Sequence, residues 1–275
     1  MLSVACEKSA RNRRPNRLVA ICALSALVFL AGCGPAADEE SAATSQPTPQ
    51  EIDPVALAAL PEATTFGTVE GAPTDPAPEE RTGELVVHPE DELPVYDAKG
   101  GTAIATLPAT QLGSPTWLPV IEQDADWYHV LLPSRPNNST GWISAADGEI
   151  AEASNDFRIE VDLENFALAV FEADTEIGNW TVGVGSSEAP TPVGRTFLLA
   201  SIEETISDFS PFTLPLGAHS DSFETYSDGP ATVAIHGWPD ETPFGTETSD
   251  GCIRVPDDAL ELLLTLPLGT VVEVS

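Results

Sequence analysis

From Leu85 to Ile143 the apolar residues fall in short runs separated by turn residues. Leu93-Pro94-Val95-Tyr96, the turn Lys99-Gly100-Gly101 and Ala103 to Leu107 read as strand, turn and strand. Trp117 to Ile121 and Asp126 to Leu132 are further runs, and Asn137 to Thr140 turns the chain into a last strand through Gly141-Trp142-Ile143. Short strands at this spacing predict a small barrel over residues 83–150. Trp127, Tyr128 and Trp142 read as its core, with the lining of a peptide groove as the alternative.

The pattern restarts after a break. Arg158-Ile159-Glu160-Val161-Asp162 alternates polar and apolar, as a half-buried strand does. Asn165 interrupts it and Phe166 to Phe171 returns, so the pair reads as a hairpin. Trp180 to Val184, Thr196 to Ala200, Val233 to Ile235 and Val271 to Val274 add strands. One helix is predicted: Asp257 and Asp258 place acids at the positive end of the helix dipole, Ala259 to Leu264 follow, and Pro267 and Gly269 stop it. The chain is therefore expected to be mainly β, with a second domain over residues 156–275.

The N-terminal stretch follows a different logic. Lys8, Arg11, Arg13, Arg14 and Arg17 precede an apolar run, Leu18 to Ala31, too short to span a bilayer as a mature helix. This is the layout of a secretory signal over residues 1–32. The run ends Leu30-Ala31-Gly32-Cys33, which resembles the bacterial lipobox and implies lipidation of Cys33. Arg13-Arg14 allows a twin-arginine signal, but Asn16 stands where that motif has an aromatic residue, which favours the general export route. Anchoring at Cys33 places the protein on the outer face of the cytoplasmic membrane, in the cell envelope. Residues 33–82, rich in Pro, Ala, Thr, Ser and Glu, are expected to be a disordered tether, with Ile52 to Leu60 as a docking piece or short helix.

Two compositional facts narrow the chemistry. The formal net charge is -33. That excludes nucleic acid as a natural partner and reads as a solvated acidic surface or an adaptation to salt. Of the cysteines, Cys6 and Cys22 leave with the signal and Cys33 is acylated, so Cys252 is the one free thiol of an exported chain.

Cys252 sits in Ser249-Asp250-Gly251-Cys252-Ile253-Arg254, and Ala234-Ile235-His236-Gly237 runs from a predicted strand into a glycine. A thiol attacks an acyl carbon as thiolate and needs a proton acceptor close by. A His ending one strand and a Cys opening the next can meet across a sheet edge. The amides of Gly251 and Cys252 can point at one spot, as an oxyanion requires.

These two stretches resemble the signature of the L,D-transpeptidase (YkuD-like) family. Gly183-Val184-Gly185 with Pro190-Thr191-Pro192-Val193-Gly194, and Leu268 to Val272, resemble further segments of it. The resemblance implies a β-sandwich-like catalytic domain over residues 156–275, and the preceding barrel resembles bacterial SH3-like domains. It implies that Cys252 is the nucleophile and His236 the acid/base, oriented by Gly237. Gly251, Ser249 and Asp250 fall in the oxyanion and orienting stretch, Arg254 is placed to hold a carboxylate, and His219 is a candidate for the substrate pocket. The implied reaction attacks the third residue of a peptidoglycan tetrapeptide stem, expels D-alanine and passes the acyl group to a second stem, giving a 3→3 cross-link. No metal or organic cofactor is implied, and carbapenem-type inhibitors are expected to acylate the Cys. One departure stands out: Asp250 occupies the position where the family usually has His. The alternatives are an L,D-carboxypeptidase, with water as acceptor, and a non-catalytic wall-binding lipoprotein with a degenerate site.

Overall fold

The computed structural model describes residues 49, 52–204, 209–226 and 229–275. The signal, the lipobox and Cys33 lie outside the described residues. The described residues belong to one compact unit.

The described chain is mainly β. Nine strands come first: β1 (Leu85–Pro89), β2 (Leu93–Tyr96), β3 (Ala103–Leu107), β4 (Thr110–Gln111), β5 (Ser114–Pro115), β6 (Leu118–Asp124), β7 (Trp127–Leu131), β8 (Thr140–Ser144) and β9 (Ile150–Ser154). Seven of them make one antiparallel sheet in the order β3-β2-β8-β7-β6-β1-β9. Tyr96, Trp127 and Trp142 are buried together, with Ile52 packed on them, and Tyr128 joins the main core of this sheet. His129 stacks on the Trp142 ring at 4.5 Å. These aromatics are packing residues.

Eleven strands follow: β10 (Phe157–Asp162), β11 (Ala167–Glu172), β12 (Thr175–Thr181), β13 (Val184–Gly185), β14 (Gly194–Phe197), β15 (Ile202–Glu203), β16 (Phe212–His219), β17 (Thr232–Gly237), β18 (Glu247–Ser249), β19 (Ile253–Val255) and β20 (Val271–Val274). Five of them form a sheet, β12-β11-β10-β20-β14, four form a second, β15-β16-β17-β19, and β13 pairs with β18. The expected hairpin is β10–β11, with Ile159 and Val161 buried and the alternate residues facing outward. Both sheets share one core. Ile159, Leu168 and Val170 of the first meet Leu214, Ile235 and Ile253 of the second, and the helix Asp257–Leu263 adds Ala259, Leu260 and Leu263. Each fully buried aliphatic side chain contributes about 1.5–3 kcal/mol of hydrophobic stabilisation.

The longest strand, β16, was not expected. Its sequence holds Pro215 and Gly217, which argue against a strand in mid-sheet. The structure accommodates them by a register shift against β17 between Pro215 and His219. Gly217 packs under Phe197, whose ring would stand 2.7 Å from an added Cβ.

The expected tether is the larger correction. Residues 61–82 lie along the body as a strap. Ala63 and Val69 are fully buried in the core of the first sheet. Backbone bonds run from Ala63 N–H to Thr106 O, from Val69 N–H to Arg135 O and from Thr140 N–H to Pro73 O. The composition that suggested disorder reflects a chain satisfied by neighbours rather than by its own core. One pin is ionic: Arg195 of β14 donates to both carboxylate oxygens of Asp75 at 2.5 and 2.6 Å and to Glu80 O at 2.7 Å. The two side chains are 4% and 0% exposed. Phe197 and Leu199, from the second part of the chain, pack into the core of the first sheet.

Removing one partner of a buried pair strands the other charge, so Asp75→Ala is expected to cost about 3–5 kcal/mol of stability. Urea unfolding measures the loss, and limited proteolysis shows whether residues 61–82 open. A loss under about 1 kcal/mol, the size of an exposed ion pair, with the strap still protected, contradicts the pin.

Candidate active site

The site grows from one parallel pairing. In β17, Val233 and Ile235 point into the core, so Ala234 and His236 face the other way. β19 runs parallel beside it, with Ile235 opposite Ile253 and His236 opposite Arg254. Ile253 and Val255 are core residues, which leaves Arg254, and Cys252 one pleat before it, on the face of His236. A slip of one residue would turn Arg254 inward and a core isoleucine outward. On its other side β19 is tied to Gly183 by a reciprocal pair of backbone bonds at 2.9 and 2.8 Å. A side chain at Gly183 would come within 2.6 Å of Pro243 O.

The turn before the cysteine is braced from both ends. Gly251 has φ +112, a conformation that favours glycine. Ser249 Oγ donates to Cys252 O at 2.5 Å and accepts from Gly251 N–H at 3.2 Å. Thr191 Oγ1 donates to Gly251 O at 2.9 Å and accepts from Gly185 N–H at 2.9 Å. This gives Pro190-Thr191-Pro192 a physical purpose that the sequence did not disclose: it carries a hydroxyl that holds the turn under Cys252.

His236 Nδ1 donates to Gly237 O at 2.7 Å. A carbonyl only accepts, so Nδ1 carries the proton and Nε2 is left as the basic nitrogen. Gly237 is fixed in turn, since its N–H donates to Ser210 Oγ at 2.8 Å and that hydroxyl donates to Phe212 O at 2.6 Å. Ser210 is buried. It stands far from His236 in the chain, within no motif, and sequence reasoning missed it. Phe209 meets the His236 ring edge-on at 5.1 Å.

His236, Cys252, Ser249, Asp250 and Arg254 line one cavity of about 430 Å³. Its aromatic members are Phe209, Phe223, Tyr226 and Trp238, and Glu204 adds a second carboxylate. The Arg254 guanidinium lies 3.9 Å from the centre of the Trp238 ring, with Nη1 reaching the Thr248 carbonyl and hydroxyl at 3.4 Å. It is thus turned to Trp238 rather than paired with Asp250. Interaction with Asp250, together with burial, raises the pKa of Tyr226. His219, expected as a pocket candidate, lies elsewhere. It is fully buried behind the strap, and Nε2 sits 2.7 Å from Thr65 O. No cluster of three or more His, Cys, Asp and Glu suited to a metal ion occurs among the described residues.

The electrostatics favour an uncharged pair. Burial pushes the Cys252 thiol pKa up and Asp250 adds to it, against a backbone contact with Ala234 and the charge of Arg254. Burial pushes His236 down, Gly237 O pulls it up, and Arg254 pushes it further down. Both shifts disfavour the ionised form and so work against a thiolate–imidazolium pair.

Sequence comparison places this architecture. Residues 156–274 match the YkuD family, described as the L,D-transpeptidase catalytic domain. YkuD of Bacillus licheniformis, a provisionally assigned L,D-transpeptidase, is 28% identical over 151 residues, covering 53% of this chain and 84% of that protein. Among solved structures, the catalytic domain of the E. faecium L,D-transpeptidase is 24% identical, over 44% of this chain and 98% of that one, with a TM-score of 0.35. L,D-transpeptidase 3 of Mycobacterium tuberculosis, solved with a faropenem-derived adduct, is 15% identical over 51% and 75%, with a TM-score of 0.38. Over residues 156–274 the chain is thus similar to L,D-transpeptidase catalytic domains of the YkuD family.

Alkylation of Cys252 by iodoacetamide follows the thiolate. With the pKa raised, the thiolate fraction is small at neutral pH and grows as pH rises. The rate is therefore expected to keep climbing beyond about pH 8.5, the ordinary thiol value. A plateau already reached in the acidic range would mean a standing thiolate–imidazolium pair and would contradict this reading.

Proposed function

We propose that the protein is a cell-wall L,D-transpeptidase that forms 3→3 cross-links through an acyl thioester on Cys252. The observation that carries this reading is the shared face of β17 and β19, where His236, its tautomer set by Gly237 O, and Cys252 line one cavity.

In this reading His236 Nε2 takes the thiol proton as sulphur attacks the carbonyl of the third stem residue. Because the resting pair is neutral, His236 acts as a general base at the moment of attack. The oxyanion is met by the amides of Cys252 and Gly251. The Gly251 N–H gives up its 3.2 Å bond to Ser249 Oγ, long for an amide donor. His236 returns the proton to the nitrogen of D-alanine as that bond breaks, leaving the thioester. The side-chain amine of a second stem then attacks, His236 receives its proton, and the thiol is restored. Arg254 is suited to a stem carboxylate: its Nε is buried without a protein partner. Carbapenems acylate the same sulphur in this reading. Export, lipidation at Cys33 and a position on the outer face of the cytoplasmic membrane belong to the same proposal.

The test incubates the protein lacking residues 1–33 with a disaccharide-tetrapeptide and follows the products by mass spectrometry. The expected product is a dimer lacking one D-alanine, with Cys252→Ala reduced by at least about a thousandfold, in the range of losing an enzyme's nucleophile. Tripeptide without dimer would point to a carboxypeptidase. Unchanged substrate together with a Cys252 inert to carbapenem would overturn the enzymatic reading.

A further inference from the structure

One wall of the cavity is held in part from outside residues 156–274. Ser220, Phe223, Tyr226 and Ala231 line it, and among the described residues the segment's own bonds are Ser220 N–H to Ala231 O at 2.9 Å, the Ser222 and Phe223 amides to Ser220 Oγ at 3.2 Å, and the bridge Tyr226–Gly229. Further anchors come from the turn between β7 and β8. Arg135 Nη1 donates to Ser220 O at 3.1 Å, and Nη2 donates to Phe223 O and Pro230 O, each at 3.0 Å. Asn137 Nδ2 donates to His219 O at 2.7 Å and to Asp221 Oδ1 at 2.9 Å, while its Oδ1 accepts from His219 N–H at 2.8 Å. Arg135 is itself clamped by the strap, through Arg135 N–H to Gly67 O at 3.0 Å and Val69 N–H to Arg135 O at 2.8 Å. The strap also reaches the wall's far end, where Thr65 Oγ1 lies 2.5 Å from Thr232 Oγ1.

We propose that Arg135, with Asn137, is a positioning residue for substrate: the first sheet and the strap set the shape of the cavity wall and thereby the affinity for the donor peptide. The planar fork suits the task. One guanidinium reaches carbonyls at both ends of the segment, 220 and 230, which closes it as a loop, and a lysine ammonium cannot span that pattern. The wall carries Phe223 and Tyr226, two of the cavity's aromatic residues, whereas Cys252 and His236 are held by contacts that do not involve Arg135. Loss of the fork should therefore weaken binding and spare the chemistry. The kinetic part rests on the acyl-transfer reading; the anchoring itself does not.

The test compares the full chain with Arg135→Ala, Arg135→Lys and Asn137→Ala. By hydrogen exchange, the backbone of residues 220–226 is expected to open roughly tenfold more in Arg135→Ala, with β17 and β19 unchanged. KM for the tetrapeptide donor is expected to rise about tenfold, with kcat within about twofold and iodoacetamide alkylation of Cys252 unaltered. Arg135→Lys should not rescue KM, and Asn137→Ala should shift it in the same direction. Unchanged exchange in Arg135→Ala would overturn the anchoring, whether or not the wild type turns over stem peptide. Raised exchange with unchanged KM would overturn the link to substrate. Exchange rising throughout β17 and β19, with kcat and alkylation falling together, would reduce Arg135 to a residue that merely holds the fold.

Discussion

Everything in the site follows from the parallel register of β17 and β19. Val233, Ile235, Ile253 and Val255 must face the core, and that single requirement turns His236, Cys252 and Arg254 toward the cavity. Apolar burial, worth far more than any polar contact in the site, thus decides where the reactive groups stand. The polar contacts then refine what burial has placed. Gly237 O selects the tautomer of His236, Ser210 steadies Gly237, and Thr191 and Ser249 steady the turn that presents the thiol. The same burial makes ionisation unfavourable for both members of the pair, which ties the fold to the proton movements of the proposed reaction.

The second organising feature is the strap. Its buried Asp75–Arg195 pair and its backbone bonds join the first sheet to the catalytic domain. Phe197 and Leu199 complete the junction by packing into the first sheet's core. A domain matched by family over residues 156–274 alone therefore sits in a larger unit, and part of its cavity is furnished from outside that span.

The legible parts of the sequence were those where local pattern and tertiary need agree. Alternation in Arg158 to Asp162 marked a strand, acids before Ala259 marked a helix start, and the His236-Gly237 and Gly251-Cys252 stretches are the ones that put His236 and Cys252 in one cavity. The illegible parts depend on partners distant in the chain. β16 contains Pro215 and Gly217, tolerated only through its register shift. The strap has no core of its own and takes its order from Thr106, Arg135 and Arg195. Ser210 acts through one hydrogen bond to Gly237 and has no motif to announce it. His219 looked like a pocket residue because it stands near a glycine, and instead it fills the space behind the strap.

The bond from His236 Nδ1 to Gly237 O leaves Nε2 as the basic nitrogen of the ring. Nitrogen NMR of the His236 ring at neutral pH reads this directly. The predicted result is a protonated Nδ1 and an unprotonated Nε2, with imidazolium appearing only at pH below the ordinary histidine range. A proton on Nε2, or a ring already doubly protonated at neutral pH, would contradict it.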